Sequence, residues 1–213
     1  MRLKVLVACE KSGTVAKAFR DKGNISFSND LKPIDNNEEN QWHIQGNCTE
    51  VIPTREWDLI IMHPECTRLA VSGNAWYGTG KDRHHMRIEA AKWTKDLWEL
   101  AKENSKHVAM ENPVGVLNRL NPDLPRPSYI QPYQFGHPEQ KKTGLWLWNL
   151  PPLTPTNNVH EQMMELPINQ RQRLHYLPPS KERAEIRSKT FQGIADAMAN
   201  QWSTYITGEQ NNG

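Results

Sequence analysis

The chain has 213 residues, and its 26 Lys/Arg against 24 Asp/Glu leave a net charge of +2. That length accommodates one domain with a real core and at most a small appendage, and the near balance of charge excludes a polyanion-binding role spread over the whole surface, so any affinity for a phosphate polymer must come from a local patch. The cysteines Cys9, Cys48 and Cys66 are far apart and odd in number, the usage of a reduced, intracellular protein with neither a disulfide framework nor a C-x-x-C metal site. No apolar run approaches the roughly 20 residues of a membrane span and the N-terminus lacks a secretory apolar stretch, so the expectation is a cytoplasmic protein.

In chain order, "LKVLVAC" is a short branched apolar run. The following "GTVAKAFRDKG" carries Val15, Ala18 and Phe19 at helical spacing before Gly23, which predicts strand, turn and helix. "NISFSND" predicts a second strand ending in polar residues, "HIQGNC" a shorter third, and "EWDLIIMHP" a buried strand stopped at Pro64. A glycine-containing loop leads into an amphipathic helix over about residues 87–104, with Ala91, Trp93, Leu97 and Leu100 on its apolar face. "HVAMENP" is again an apolar strand with a polar end. Beyond it, Pro-rich connections predict hairpins and extended segments around Gly136 and "GLWLW", and "TGEQNNG" predicts a frayed tail. Strands alternating with helices make an α/β domain with a mostly parallel sheet. Ligands of such sheets sit beyond the carboxyl ends of the strands, which here carry Cys9 and Glu10, Asp30, Asn47, residues 63–66, and Glu111, Asn112 and Pro113.

Taken in order, "ACEKSGTVAKAFRDKG", "SND", "HPECT", "MENPVG" and "QFGHPEQKKTGLWL" resemble the motif series of the DNA cytosine-5 methyltransferase family, over the N-terminus to about residue 148 and more weakly over the last helix. That family has a glycine-containing first turn for S-adenosylmethionine and an acid ending the second strand. A proline-proline-cysteine nucleophile loop, a glutamate-asparagine pair and a glutamine/arginine motif follow. No single motif is specific, but the ordered set is. The resemblance implies a Rossmann-like S-adenosylmethionine-dependent methyltransferase fold, with a catalytic domain over 1–150 and a reduced Pro-rich, basic recognition segment over 151–190. A C-terminal helix over 191–206 would pack back on the catalytic domain, and 207–213 would be a flexible tail.

The same resemblance implies the chemistry. Cys66, as thiolate, would add to carbon 6 of cytosine and turn carbon 5 into an enamine carbon that accepts a methyl group. Glu111 would be the acid at ring nitrogen 3, stabilising charge as it develops, and Lys142 would stand beside the nucleophile as the third catalytic residue. Asn112 would fix the loop or meet the base, and Gln140 would contact the base. For the cofactor, Asp30 suits the ribose hydroxyls and the Asn47 amide the adenine amino group. Gly13, Glu10 and Pro64 complete the cofactor site, the Glu10 carboxylate either binding the methionine amino group or crowding it. DNA is the expected partner, through a single-stranded or flipped cytosine.

Three departures from the family's pattern stand out. Glu10 occupies a glycine position. Glu65 replaces the second proline and raises the thiol pKa of Cys66 unless a cation, Arg68, His63 or Lys142, offsets it. Only about 40 residues, 151–190, separate the glutamine/arginine motif from the last helix, little for reading duplex DNA. Within them, residues 171–189 hold six Lys/Arg against two Glu, which suits phosphates, with Arg171, Arg173 and Lys189 as the contacts. Taken singly these residues have plainer readings: Cys66 as a small buried apolar group, Asp30 as a turn or capping residue, the tryptophans as packing, the basic run as a charged face. His84 and His85 lack partners at ligand spacing and read as a solvated loop, so no metal is expected. Two rival functions remain open beside the methyltransferase, a binding protein of the same fold without turnover and an enzyme acting on a free pyrimidine nucleotide.

Overall fold

The computed structural model describes residues 1–178, 180 and 182–211. The elements run β1 Lys4–Ala8, α1 Thr14–Asp21, β2 Ile25–Asp30, β3 His43–Gln45, α2 Cys48–Val51, β4 Trp57–Met62, α3 Asn74–Tyr77, α4 His84–Asn104, β5 Ser105–Pro113 and α5 Leu117–Leu120. They continue with β6 Ser128–Ile130, β7 Thr143–Trp148, α6 His160–Glu165, α7 Ile168–Arg171, α8 Arg173–Tyr176, α9 Arg183–Ser188 and α10 Gln192–Asn211. Among the described residues the strands form one seven-stranded sheet of order β3-β2-β1-β4-β5-β7-β6. Strands β1 to β5 are parallel, and β7 runs antiparallel between β5 and β6.

Alternation along the strands decides what each face of the sheet buries. Val5 and Val7 of β1, with Leu59 and Ile61 of β4, face a cluster completed by Val15 and Phe19 of α1 and by Ile194, Met198, Trp202 and Ile206 of α10. Leu6 and Ala8, with Ile60 and Met62, face the opposite cluster of Leu97 and Trp98 from α4, Ile52 and Leu117. Central strands buried on both faces must be apolar where they cross the core, which explains the unbroken runs "VLVA" and "LIIM".

Several expectations need correction. Helix α4 starts at His84, so His84 and His85 lie in its first turn and not in a loop; their Nδ1 atoms pair with Tyr77 O and Asp82 O. Its buried stripe is Arg87, Ala90, Ala91, Thr94, Leu97, Trp98 and Ala101. Trp93 falls off this 3.6-residue repeat and is 38% exposed. Among the described residues, the Pro-rich, basic segment 151–190 contains the four short helices α6 to α9, and α10 runs past residue 207, where a frayed tail is expected, to Asn211; residues 212 and 213 lie outside the described residues. Among the described residues no helix is long and apolar enough to cross a membrane.

The chain leaves β1 in opposite directions, to β2 on one side and, later, to β4 on the other. The carboxyl ends of β1 and β4 therefore flank the point where the strand order reverses, the place where α/β sheets bind ligands.

Candidate active site

Sheet register lines up the residues at this point. Ala8 pairs with Met62 and Met62 with Met110, so the next residues, Cys9 and His63, just past β1 and β4, stand in a row with Glu111, where β5 runs on beyond its pairing with β4. His63 N donates to Ala8 O at 3.0 Å, holding β1 and β4 together at this point.

The Cys66 loop follows β4 and is tied down on every side. Leu69 N and Ala70 N donate to Cys66 O, Val71 N to Val114 O and Val116 N to Leu69 O. A Cβ on Gly115 would stand 2.1 Å from Leu69 O, so only glycine lets the two segments approach this closely. Arg87, 1% exposed, reaches from α4 under the loop and donates to Arg68 O at 2.6 Å, Asn74 Oδ1 at 2.8 Å and Ala70 O at 3.3 Å. Asn112 is likewise 1% exposed and donates to Pro64 O at 3.4 Å. It braces the Cys66 loop from within. Glu65 turns its carboxylate onto Thr67 N at 2.7 Å.

Burial, then Glu111 and Glu65, push the Cys66 thiol up to about 11, while Lys141 and Arg187 act the other way. The offsetting cations are thus Lys141 and Arg187, not Arg68, His63 or Lys142. Lys142 Nζ instead lies 4.5 Å from the Tyr129 ring centroid. Successive side chains of an extended chain point to opposite sides, so of the pair Lys141-Lys142 the first faces Glu111 and Cys66 and the second is turned away. Lys141, rather than Lys142, therefore stands on the Cys66 side.

His63 sits between two buried carboxylates. Its Nδ1 is 3.5 Å from Glu111 Oε2, with 9% and 15% of the two side chains exposed, and neither ring nitrogen has a hydrogen-bond partner among the described residues. Burial opposes the charge of Glu111, but the approach of His63, with Lys141 and Thr143, outweighs it and holds the carboxyl below its ordinary value. Glu10 behaves oppositely: burial dominates and raises it, despite His63, two backbone N–H groups and Ser12. Those N–H groups belong to Val15 and Ala16, which donate to Glu10 Oε1 and Oε2 at 2.6 and 3.1 Å.

At the β1–β2–β3 end, Cys9 and Gly13 both take left-handed backbone conformations, at φ 60° and 68°. Asp30 accepts from Lys32 N at 2.9 Å through one carboxylate oxygen. Asn47 caps α2, its Oδ1 accepting from Thr49 N at 3.1 Å and keeping a second lone pair. The Cys9 thiol donates to Cys48 Sγ across 3.7 Å, and this bond lowers the Cys48 thiol. Among the described residues no cluster of His, Cys, Asp or Glu is arranged for a metal ion.

Gln140 is held from the 151–190 segment: its N donates to Arg171 O at 2.6 Å and its Oε1 accepts from Gln172 Nε2 at 2.9 Å. The cations expected to contact phosphates are engaged within the protein. Arg173 pairs with Glu139 at 3.0 Å, Lys189 with Asp35 at 3.0 Å, and Arg171 Nη1 lies 3.3 Å from Met164 Sδ.

Sequence reasoning missed Lys141, Arg187 and Arg87. Arg87 alone carried a readable signal, a charge standing on the apolar stripe of α4.

No protein-family model and no curated protein matches the sequence. Among solved structures, the Entamoeba histolytica methyltransferase EhMeth is similar with a TM-score of 0.51 at 13% identity, over 74% of this chain and 58% of that one. The S. pombe Dnmt2 methyltransferase gives 0.44 at 14%, over 85% and 61%, and the bifunctional kinase-methyltransferase WbdD gives 0.43 at 17%, over 68% and 34%. The chain thus spans less than two thirds of each of these proteins. With the strand order above, the likeness to EhMeth shows the fold: this is a Rossmann-like fold of the kind found in S-adenosylmethionine-dependent methyltransferases.

Proposed function

We propose that the chain is an S-adenosylmethionine-dependent methyltransferase acting on carbon 5 of cytosine in DNA. The observation that carries this reading is the convergence of Cys66, Glu111 and Lys141 beyond the carboxyl end of β4, close enough that the carboxylate and the ammonium both act on the thiol. Cys66 as thiolate adds to carbon 6. Glu111 meets ring nitrogen 3, where negative charge develops, and Lys141 stabilises both anions. Arg87 and Asn112 keep the nucleophile loop in place.

The donor set at the β1–β2–β3 end fits the cofactor. Asp30 has one carboxylate oxygen bound to Lys32 N and offers the other to the ribose hydroxyls, and Asn47 offers an N–H to an adenine ring nitrogen. Pro64 would pack beside it and Gly13 gives the first turn its path, whereas Glu10 acts as an internal cap of α1. S-Adenosylmethionine, when bound, supplies the electrophilic methyl group.

The test is mass spectrometry of DNA, RNA and free cytidine nucleotides after incubation with isotopically labelled cofactor, with Cys66→Ala as control. 5-Methylcytosine in DNA, absent with Cys66→Ala, is expected; no label in any substrate sinks the reading. A second reading, a free pyrimidine nucleotide as substrate, is favoured by the internal pairing of Arg173 and Lys189, and label in the nucleotide alone would establish it.

A further inference from the structure

Two of the three cysteines take no part in the reaction proposed above, and the fold brings them together at its cofactor end. Cys9 follows β1 and Cys48 opens α2 just after β3, strands that lie on either side of β2. The ends of all three strands are tied to one another. Glu10 N donates to Asn29 O at 2.8 Å and Gly46 N to Asp30 O at 2.9 Å. The fully buried Asn29 donates through Nδ2 to Ile44 O at 2.7 Å and Gly46 O at 3.0 Å. Across this braced end of β2 the two sulfurs meet, 3.7 Å apart.

Packing accounts for one sulfur of this pair and not for the other. Cys48 belongs to the core cluster of Leu6, Ala8 and Ile52, where a thiol serves as a small apolar group. Cys9 is only partly buried, and its backbone is left-handed, at φ 60°, a conformation uncommon for a residue with a side chain. Its thiol donates to Cys48 Sγ, and the bond lowers Cys48, which favours a thiolate within the pair. The Asp30 carboxylate acts on both sulfurs, and Asn47 immediately precedes Cys48. The pair therefore adjoins the two residues assigned to the ribose and the adenine.

Resting on the cofactor placement proposed above, we infer that Cys9 and Cys48 are a redox-modification site: hydrogen peroxide joins them in a reversible disulfide, and the disulfide weakens S-adenosylmethionine binding. The Cys9 sulfur, the one that solvent reaches, passes its proton along the hydrogen bond to Cys48 and attacks a peroxide oxygen as thiolate. The O–O bond breaks, Cys9 becomes a sulfenic acid, and the departing hydroxide takes the Cys48 proton and leaves as water. The Cys48 thiolate then attacks the Cys9 sulfur. As the S–S bond forms the S–O bond breaks, and the second hydroxide takes up the proton that the pair gave to solvent on ionising. Two thiols and one peroxide thus yield one disulfide and two waters, two electrons passing from sulfur to oxygen. Bond formation draws the sulfurs from 3.7 Å to about 2 Å. Cys48 is the first residue of α2, and Asn47 caps that helix through Thr49 N, so the cap and the adenine contact shift together. In a reducing compartment such a bond is transient and serves regulation, and a thiol reductant reverses it.

The test treats the whole protein with hydrogen peroxide, blocks free thiols by alkylation and maps the unreduced peptides by mass spectrometry. A peptide joining Cys9 to Cys48, with Cys66 still free, is expected, and dithiothreitol should remove it. No disulfide, or one joining either residue to Cys66, overturns the inference. Calorimetry with S-adenosylmethionine should then show affinity lower by about tenfold in the oxidised protein, the worth of one hydrogen bond at the adenine, and restored by dithiothreitol. Equal affinity in the two states overturns it. Cys48→Ser, or Cys9→Ser if that variant fails to fold, should bind the cofactor alike before and after peroxide. A loss of affinity there would place the effect elsewhere in the chain and overturn the inference. Hydrogen exchange at the Thr49 amide reads the same event without cofactor: it should quicken on oxidation as the Asn47 cap is displaced, and unchanged exchange counts against the inference. If the reduced protein binds no S-adenosylmethionine, the cofactor reading falls by itself, and the disulfide map with the Thr49 exchange still decides the modification site.

Discussion

Glu10 Oε1 accepts a hydrogen bond from Val15 N at 2.6 Å, so the side chain standing at the family's glycine position closes the start of α1. The N-cap residue, Gly13, has no side chain with which to do so, and an acid near a helix N-terminus meets both its unpaired N–H groups and its dipole. Glu10 is only 5% exposed, and burial raises its carboxyl above the ordinary value. The folded state therefore holds the Glu10 proton to higher pH than the unfolded chain, and stability falls as pH rises from the ordinary glutamate value through the raised one. Glu10→Gln should abolish that fall while keeping an acceptor for α1. Glu10→Ala should be less stable than Glu10→Gln by about 1–2 kcal/mol, the usual value of a cap. Urea unfolding of the three proteins between about pH 4 and 7 checks both, and an unchanged slope in Glu10→Gln would refute the assignment.

Cys66 should be a sluggish nucleophile in the free protein. With its thiol pushed up to about 11 by burial, Glu111 and Glu65, roughly one part in 10⁴ is thiolate at pH 7. Iodoacetamide labelling of Cys66, followed by mass spectrometry, should accelerate with pH until about pH 11, as the cited thiol value requires. Glu65→Gln should speed labelling at neutral pH and Lys141→Met should slow it, each on the order of severalfold. A profile centred on an ordinary thiol value would contradict the electrostatics of the loop.

How far these features were legible in the sequence follows from their range. Strands β1, β2, β4 and β5 and helix α1 are visible because branched apolar runs and 3.6-residue spacing are local signals, and the strand ends then follow from the parallel topology. Cys66 and Glu111 are brought near each other by adjacent strand ends, as expected. The side that Lys141 and Lys142 present depends on the phase of β7 against β5, where Glu111 pairs with Leu145, and nothing in "QKKTG" states that phase. The pairing of Lys189 with Asp35 joins residues remote in the chain, and the internal use of Arg173 is equally a tertiary fact. The helices of residues 151–190 are four to six residues long, too short for periodicity to register.

Arg87 should matter more to stability than any other charged residue near the site. Its guanidinium satisfies two carbonyls and the Asn74 side chain from a buried position. Arg87→Met preserves the stem but strands those acceptors, and about 2–4 kcal/mol should be lost. Arg87→Lys should recover only part of this, because an ammonium cannot span the fork. Denaturant unfolding gives the magnitude, and limited proteolysis should cut within residues 67–83 first. Uniform destabilisation without preferential cleavage there would show that Arg87 stabilises α4 alone.

The last prediction concerns α9, which is held across the strand ends by charge. Lys11, in the turn after β1, pairs with Glu185 and Asp35 at 2.9 Å, and Asp35, beyond β2, also pairs with Lys189 at 3.0 Å. Lys141 Nζ donates to Lys189 O at 3.3 Å. These contacts hold Arg187 where its charge lowers the Cys66 thiol, and α9 buries none of its own residues, so no apolar core opposes its release. Exposed pairs are screened, and between about 0.01 M and 1 M salt the Debye length falls from roughly 30 Å to 3 Å. Hydrogen exchange at the Ile186 amide, which donates to Glu182 O, should therefore quicken with salt while the β4 and β5 amides do not change. Acid should have the same effect. Burial opposes the charge of Asp35, but Lys11 and Lys189 hold it below its ordinary value, and Lys11 does the same for Glu185. Their contribution is complete above the ordinary carboxylate range and is lost as pH falls through the lowered values. A Lys11→Ala, Lys189→Ala double variant should reproduce the fast exchange at low salt and slow the alkylation of Cys66 by removing Arg187 from its side. Exchange at Ile186 indifferent to salt and to these substitutions would show that α9 is held by packing rather than by charge.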